Sequence, residues 1–108
     1  MSQQQTDTAL LFEGILTPIN MGGQFQDVDV RAFREVRIFT RSADSLCQTG
    51  ADWMRVQIVE ASNVLDLDAF ELDCVGTGVT RLYELPGRTL HLGVTGFGTH
   101  HVVVFGRP

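Results

Sequence analysis

Short runs in which apolar and polar residues alternate recur along most of the chain. The clearest is WMRVQIVEA (53–61), where three aliphatic side chains share one face and Arg55 and Gln57 share the other. A period of two is typical of a β-strand with one buried face. We therefore predict a half-buried strand here, in which Trp53 points to the polar side.

Similar runs predict further strands, although two stretches carry a more complex pattern. In NVLDLDAFELD (63–73) the apolar phase shifts, which predicts a β-bulge near Ala69. Residues 27–42 begin with helical spacing, which predicts one helical turn with Asp29 as its N-cap, before a strand over 35–41. The remaining predicted strands lie within TALLFEGIL (8–16), VTRLYEL (79–85), RTLHLGVTG (88–96) and HHVVVFG (100–106).

Turn signals separate these runs, and no periodic segment is long enough for a regular helix. Pro86 and Gly87 suit the two central positions of a type II turn, either in a hairpin or at a corner between sheets. The pattern predicts an all-β protein: an antiparallel β-sandwich, jelly-roll-like, with about seven or eight strands and at most one short helical turn. We expect a single domain over residues 8–108 after a polar, disordered tail at residues 1–7.

Length and charge narrow the classes of partner. The chain has 108 residues and a formal net charge of −5, and all eight of its basic residues are arginine. This balance argues against nucleic acid or an anionic membrane as the partner. No apolar run approaches the roughly 20 residues that span a bilayer, and the N-terminus lacks a signal-peptide pattern. We therefore expect no membrane insertion and, by default, a cytoplasmic location.

The thiol inventory consists of Cys47 and Cys74, which stand 27 positions apart without a CxxC motif. Two independent structural thiols are the favoured interpretation for a cytoplasmic protein, and a disulfide is the alternative. A nucleophilic cysteine paired with His91, His100 or His101 lacks any local enzyme signature. No GxSxG motif is present either, so we predict no catalytic residue.

Two groups of side chains are candidate metal ligands. Asp66 and Asp68 are predicted to project from one face of a strand, where they could bind calcium, although a solvated face that protects a sheet edge explains the same pattern. His91, His100 and His101 suggest zinc, but neighbouring strand residues point to opposite faces, so surface or strand-end histidines are the favoured interpretation. We expect no cofactor.

Candidate binding residues come from side chains that the predicted core does not use. Trp53 is a candidate ligand-binding aromatic, because exposed aromatics offer large rigid contact area. In the last predicted strand apolar side chains lie on both faces, so Val103 and Phe105 must be covered by another segment, such as residues 8–16, or by another chain. They are candidate interface residues, and we predict a homo-oligomer.

Two segments carry a family resemblance. VDVRAFREVRIF (28–39) and HHVVVFG (100–106) resemble the discoidin-type and related carbohydrate-binding jelly rolls, where a short turn leads into a core strand and a valine-rich strand closes the domain. The resemblance implies a jelly-roll fold and a binding role. Discoidin domains are longer and commonly closed by a disulfide between their ends, whereas both cysteines here are internal. No ligand-binding loop has a counterpart, so no binding residue is transferred.

These observations favour a non-catalytic recognition or interaction module whose ligand is a glycan or a protein. The alternative is a self-assembling subunit of a larger homo-oligomer, and a small metal-dependent hydrolase ranks third. A glycan-binding module should present an exposed aromatic beside polar groups. An assembly subunit should present a contiguous apolar patch or an unprotected sheet edge.

Overall fold

A computed structural model describes residues 8–76, 78–84 and 89–108. The predicted N-terminal tail and the Pro86–Gly87 turn lie outside the described residues. Two four-stranded antiparallel sheets form a sandwich, which confirms the predicted all-β class. Sheet 1 has the strand order β1-β8-β3-β6 and sheet 2 has the order β2-β7-β4-β5. The strands are β1 (Ala9–Leu16), β2 (Gln26–Asp29), β3 (Glu35–Ser42), β4 (Trp53–Glu60), β5 (Asn63–Glu71), β6 (Val79–Glu84), β7 (Thr89–Thr95) and β8 (His100–Arg107).

The core lies between the two sheets and is built from alternate positions of the strands. In β4, Met54 and Val56 are fully buried while Trp53 is exposed, as the alternation predicts. β8 buries Val102 and Val104 in the same way. Burial of side chains of this size stabilises the fold by roughly 1.5–3 kcal/mol each. The inward faces of both sheets therefore supply a single apolar core.

One strand and one helical turn were not placed correctly from the sequence. β2 is a four-residue strand at the edge of sheet 2, and it lies within a stretch whose spacing resembled a helix. Residues 30–33 form a tight turn and not a helical one, with the Phe33 N–H donating to the Val30 carbonyl. The predicted capping role of Asp29 is confirmed, because its carboxylate accepts a hydrogen bond from the Arg31 N–H at 3.1 Å. A short 3-10 turn occurs instead at Ile19–Met21, in the predicted loop.

A β-bulge interrupts β5, two positions before the predicted one. Asp68 pairs with Val56 and Asp66 pairs with Gln57, so Leu67 is the extra residue. A bulge changes which face the following side chains occupy, and this has consequences for the acidic residues described below. Within the described residues, no helix has the length and apolar character needed to cross a membrane.

Candidate functional site

The outward side of sheet 1 carries an apolar surface. Leu10, Phe105, Arg37 and Leu82 pair in one row across the four strands, and they lie on the side opposite the core. We call this surface the outer face of sheet 1. Its apolar members are Leu10, Ile15, Phe39, Leu82, Val103 and Phe105.

Several of these side chains are well exposed to solvent. Ile15 is 61% exposed, Leu10 is 54% exposed and Leu82 is 52% exposed. Val103 and Phe105 lie between their neighbours and are half-buried. Part of the face forms a shallow cavity of about 290 Å³ that is lined by Phe105 and Leu82 together with the polar side chains of Thr8, Glu35, Arg37 and Arg107. Phe39 pairs with Val103, which lies two positions before Phe105, so these three apolar side chains are neighbours, and charged side chains such as Arg37 lie between the other apolar members.

β1 does not cover the outward side chains of β8. It lies beside β8 in the same sheet, paired from Ala9 with Gly106 to Leu16 with His100. Because a neighbouring strand in a sheet covers edges and not faces, Val103 and Phe105 stay at the surface. The sequence suggested two possible covers for Val103 and Phe105, residues 8–16 or another chain. Residues 8–16 do not cover them.

The charged side chains of the outer face of sheet 1 balance one another. They are three arginines and three glutamates, in a chain whose net charge is −5. One ion pair forms within the face, from Arg107 to Glu35 at 3.5 Å, and Nε2 of His101 lies 3.1 Å from the Glu13 carboxylate. The face is therefore electrically neutral, and the rest of the chain carries the net charge. The six residues are Arg37, Arg41, Arg107, Glu13, Glu35 and Glu84.

The outward side of sheet 2 is different, because polar groups dominate it. Arg55 and Gln57 both contact Asp66, and His91 pairs with Asp27. The ring of Phe25 stacks on the His91 imidazole, with 4.2 Å between the ring centroids. We call this surface the outer face of sheet 2.

Trp53 lies on the outer face of sheet 2 and is 38% exposed. Its indole Nε1–H donates to the Gly50 carbonyl at 3.2 Å, so its polar atom is already used within the protein. Its strand partners on either side are Thr95 and Glu71. The aromatic ring of Trp53 therefore stands beside polar groups.

The structure separates Asp66 from Asp68. Asp66 points outward and contacts Gln57, whereas Asp68 accepts a hydrogen bond from the Tyr83 hydroxyl at 2.6 Å, on the inward side. Burial raises the pKa of Tyr83, and the Asp68 carboxylate raises it further. The predicted same-face pair is wrong because the bulge at Leu67 turns one carboxylate over. Neither carboxylate belongs to a cluster of possible metal ligands within the described residues.

The three histidines occupy three different environments. His91 lies on the outer face of sheet 2, His101 lies on the outer face of sheet 1, and His100 is fully buried between the sheets. The opposite orientation of the adjacent pair follows from strand geometry, as predicted. His100 begins β8, so it occupies a strand end as one of the two predicted positions, but its side chain is fully buried and points into the core.

A buried polar cluster forms around Asp52, just before β4. Its carboxylate accepts hydrogen bonds from the backbone N–H groups of Gln48, Phe97 and Gly98 and from Nε2 of His100 at 2.9 Å. Burial alone raises the pKa of the Asp52 carboxyl, but the His100 bond and the backbone bonds outweigh it and hold the pKa below its ordinary value. We call this arrangement the Asp52–His100 cluster.

The Asp52–His100 cluster was missed from the sequence because its parts are far apart in the chain. Asp52 and His100 are 48 positions apart, and no local motif contains both. The loop between β7 and β8 meets them through glycines: Gly96 has a φ of +129°, and a side chain at Gly98 would collide with the backbone of Cys47. The cluster thus depends on close contacts between the backbones of two loops, which cannot be predicted from a periodic pattern in the sequence.

Cys47 and Cys74 form a disulfide, with their Cα atoms 5.4 Å apart. The favoured prediction of two independent thiols is therefore wrong, and the alternative is the observed arrangement. The prediction assumed a reducing compartment. The sequence also gives no sign that the loop before β4, with Cys47, and the loop after β5, with Cys74, lie side by side. The Cys47 sulfur, a ring nitrogen of His100 and a carboxylate oxygen of Asp52 all lie within 4.8 Å of one another.

Comparisons of the chain with protein-family models, with curated proteins and with solved structures find no match.

Proposed function

We propose that this protein is a non-catalytic interaction module that docks through the outer face of sheet 1, and that its partner there is a second copy of the chain. The observation that carries this proposal is the group of six apolar side chains on the outer face of sheet 1, which no other segment of the described chain covers. Hydrophobic area left in water favours association when a complementary surface is available.

Charge favours a second copy as the occupant. Copies with a net charge of −5 repel each other in general, yet the outer face of sheet 1 is neutral. Two copies can therefore approach through this face with the least repulsion, and a two-fold axis lets arginines of one copy meet glutamates of the other.

The size of the face is adequate for a weak to moderate dimer. Four strands about 4.8 Å apart, each about eight residues long, give a flat footprint of roughly 500 Å². Side-chain relief makes the accessible area larger, so it approaches the roughly 800 Å² that each partner buries in a standard interface. Face-to-face packing of sheets is also a common arrangement in β-proteins.

The strand orders support the jelly-roll interpretation within this proposal. Successive strands of the chain alternate between the two sheets from β1 to β4, and again from β5 to β8 in reverse order. An eight-stranded, two-sheet sandwich of this kind is what the jelly-roll class describes. The resemblance to discoidin-type domains stays a prediction.

Light scattering after size exclusion, over a hundredfold range of concentration, tests the proposal. We expect the mass to rise towards twice the 11.9 kDa of one chain. Leu82→Asp should raise the dissociation constant about 100-fold or more, because two-fold symmetry places two unpaired carboxylates in the interface. A mass that stays at one chain throughout would contradict the proposal.

A matched control separates this surface from general hydrophobicity. Leu65 in β5 is 48% exposed, close to the 52% of Leu82, but it lies outside the outer face of sheet 1. Leu65→Asp should leave the mass at each concentration unchanged. If Leu65→Asp weakens association as much as Leu82→Asp, the docking surface has been assigned to the wrong sheet.

A second candidate function is glycan binding on the outer face of sheet 2. The observation that favours it is Trp53, which is part-exposed beside polar side chains such as Arg55. Sugar rings commonly stack on such aromatic surfaces. Intrinsic tryptophan fluorescence during titration with a panel of oligosaccharides tests it, with Trp53→Phe as the control that abolishes the signal, since the chain has one tryptophan.

A further inference from the structure

The disulfide lies against the Asp52–His100 cluster, and this contact is not used by the proposed docking function. Asp52 and His100 are fully buried, while Cys47 and Cys74 are half-buried and therefore within reach of a reductant. Sulfur, nitrogen and oxygen donors are thus gathered at one end of the sandwich.

The hydrogen bonds of Asp52 show which atoms of the cluster are already used. Its two carboxylate oxygens accept four hydrogen bonds in total, which is about the capacity of an ionised carboxylate. The same carboxylate faces Nε2 of His100, which therefore carries the ring proton in a neutral imidazole. Asp52 is thus a positioning residue for His100.

The other ring nitrogen of His100 has a lone pair without a partner. Nδ1 is fully buried, and no hydrogen-bond partner for it exists within the described part of the chain. A buried polar atom without a partner is costly and calls for an explanation. A histidine that donates one N–H to a carboxylate and keeps the other nitrogen free has the arrangement typical of a metal ligand.

Reduction of the disulfide would complete a set of soft ligands. The reductant, a dithiol, supplies two electrons and two protons, becomes a disulfide itself, and leaves Cys47 and Cys74 as thiols. When a divalent ion binds, both thiols release their protons to solvent and coordinate the ion as thiolates. Thiolate and imidazole are the donors that zinc prefers.

The distances are compatible with one ion. Ligand atoms on a tetrahedral zinc ion lie roughly 3.3–3.8 Å apart, given bond lengths of about 2.0–2.3 Å. The Cys47 sulfur, one ring nitrogen of His100 and a carboxylate oxygen of Asp52 lie within 4.8 Å of one another, so the imidazole stands next to the disulfide, and Cys74 is bonded to Cys47. The released thiols can rotate about their side-chain bonds to bring their sulfurs towards the imidazole.

We infer that reduction of the Cys47–Cys74 disulfide creates a site for a zinc-class divalent ion, held by both sulfurs and by His100, with Asp52 orienting the imidazole. The oxidised protein lacks the thiolates and does not bind the ion there. The disulfide and the metal are therefore alternative ways to fasten the same two loops.

Titration with Co²⁺, followed by displacement with Zn²⁺, tests this inference on protein reduced by a phosphine without oxygen. We expect one Co²⁺ per chain, with thiolate-to-cobalt charge-transfer absorption and the visible bands of a tetrahedral ion, and no such spectrum from the oxidised protein. Absence of the charge-transfer band from the reduced protein, or equal binding by the oxidised protein, would overturn the inference.

Matched histidine variants locate the nitrogen ligand. His100→Asn should weaken Co²⁺ binding about 100-fold or more, whereas His101→Asn, which changes the adjacent outward-facing residue, should leave it unchanged. Equal affinity of His100→Asn and the wild type would also overturn the inference. If His100→Asn does not fold, nitrogen NMR of the reduced wild type decides: Zn²⁺ must shift the ring signals of His100 and leave those of His91 in place.

Discussion

The outer face of sheet 1 and the Asp52–His100 cluster depart from the usual distribution of side chains in opposite directions. The first leaves Leu10, Ile15 and Leu82 in water, and the second places an aspartate and a histidine in the core. The buried carboxylate is matched by four donors inside the chain. No segment of the described chain covers the exposed apolar side chains, so they are available to a partner molecule.

The two regions should affect different properties of the protein. A buried polar group that is fully hydrogen-bonded can serve the fold alone, and its removal should lower stability. An exposed apolar patch adds nothing to the stability of one chain, so its removal should lower association and leave the fold intact. Mutations in the two regions should therefore affect different measurements.

The largest expected effect on stability comes from Asp52→Asn. The change removes a buried charge that accepts bonds from Phe97, Gly98 and His100, so the free energy of unfolding should fall by about 3–5 kcal/mol. Urea unfolding at a fixed low protein concentration measures it. Asp66→Asn, at an exposed carboxylate, should stay within about 0.5 kcal/mol of the wild type. A similar small effect at Asp52 would refute its structural role.

The next effect is that of the disulfide. Replacing Cys47 and Cys74 together with alanine removes a cross-link across 27 positions, so the free energy of unfolding should fall by about 3 kcal/mol. Reduction of the wild type in the presence of a chelator should have the same effect, and the double variant should not respond to the reductant. If the wild type is equally stable with and without reductant, the cross-link does not hold these loops.

Acid should weaken the Asp52–His100 cluster. The pKa of Asp52 is lower in the folded protein than in the unfolded chain, so its contribution to stability is present above the ordinary aspartate value of about 3.9 and is lost as the pH falls through the folded pKa. The stability difference between wild type and Asp52→Asn should therefore shrink between about pH 7 and about pH 2. A difference that stays constant over this range would contradict the lowered pKa.

The smallest effect should come from Trp53→Ala. Trp53 is part-exposed and lies on the outer face of sheet 2, so the substitution should cost about 2 kcal/mol and leave self-association unchanged. Unfolding and size exclusion of the same sample measure both quantities. Loss of association in this variant would mean that the two outer faces have been assigned the wrong roles.

The strands could be predicted from the sequence because each large one has a clear period of two. The prediction of 53–61 ends one residue after β4, and 79–85 ends one residue after β6. β2 was missed because four residues at a sheet edge are too few to establish a period. Propensity and spacing are local, so they identify elements better than they identify pairings between elements.

The candidate sites were harder to predict, for the same reason. Alternation alone placed Val103 and Phe105 on the outward side of β8, since that depends on the strand itself. The Asp52–His100 contact, the disulfide and the separation of Asp66 from Asp68 depend on loop packing and on a single bulge. No period in the sequence encodes these.

Methyl NMR during dilution can locate the surface through which two copies associate, which we propose is the outer face of sheet 1. The methyl signals of Leu10, Ile15 and Leu82 should shift together with concentration, while those of Val64 and Leu65 in β5, which are also exposed, should stay in place. Methyl signals on the outer face that do not move with concentration, or a shift confined to β5, would contradict the account.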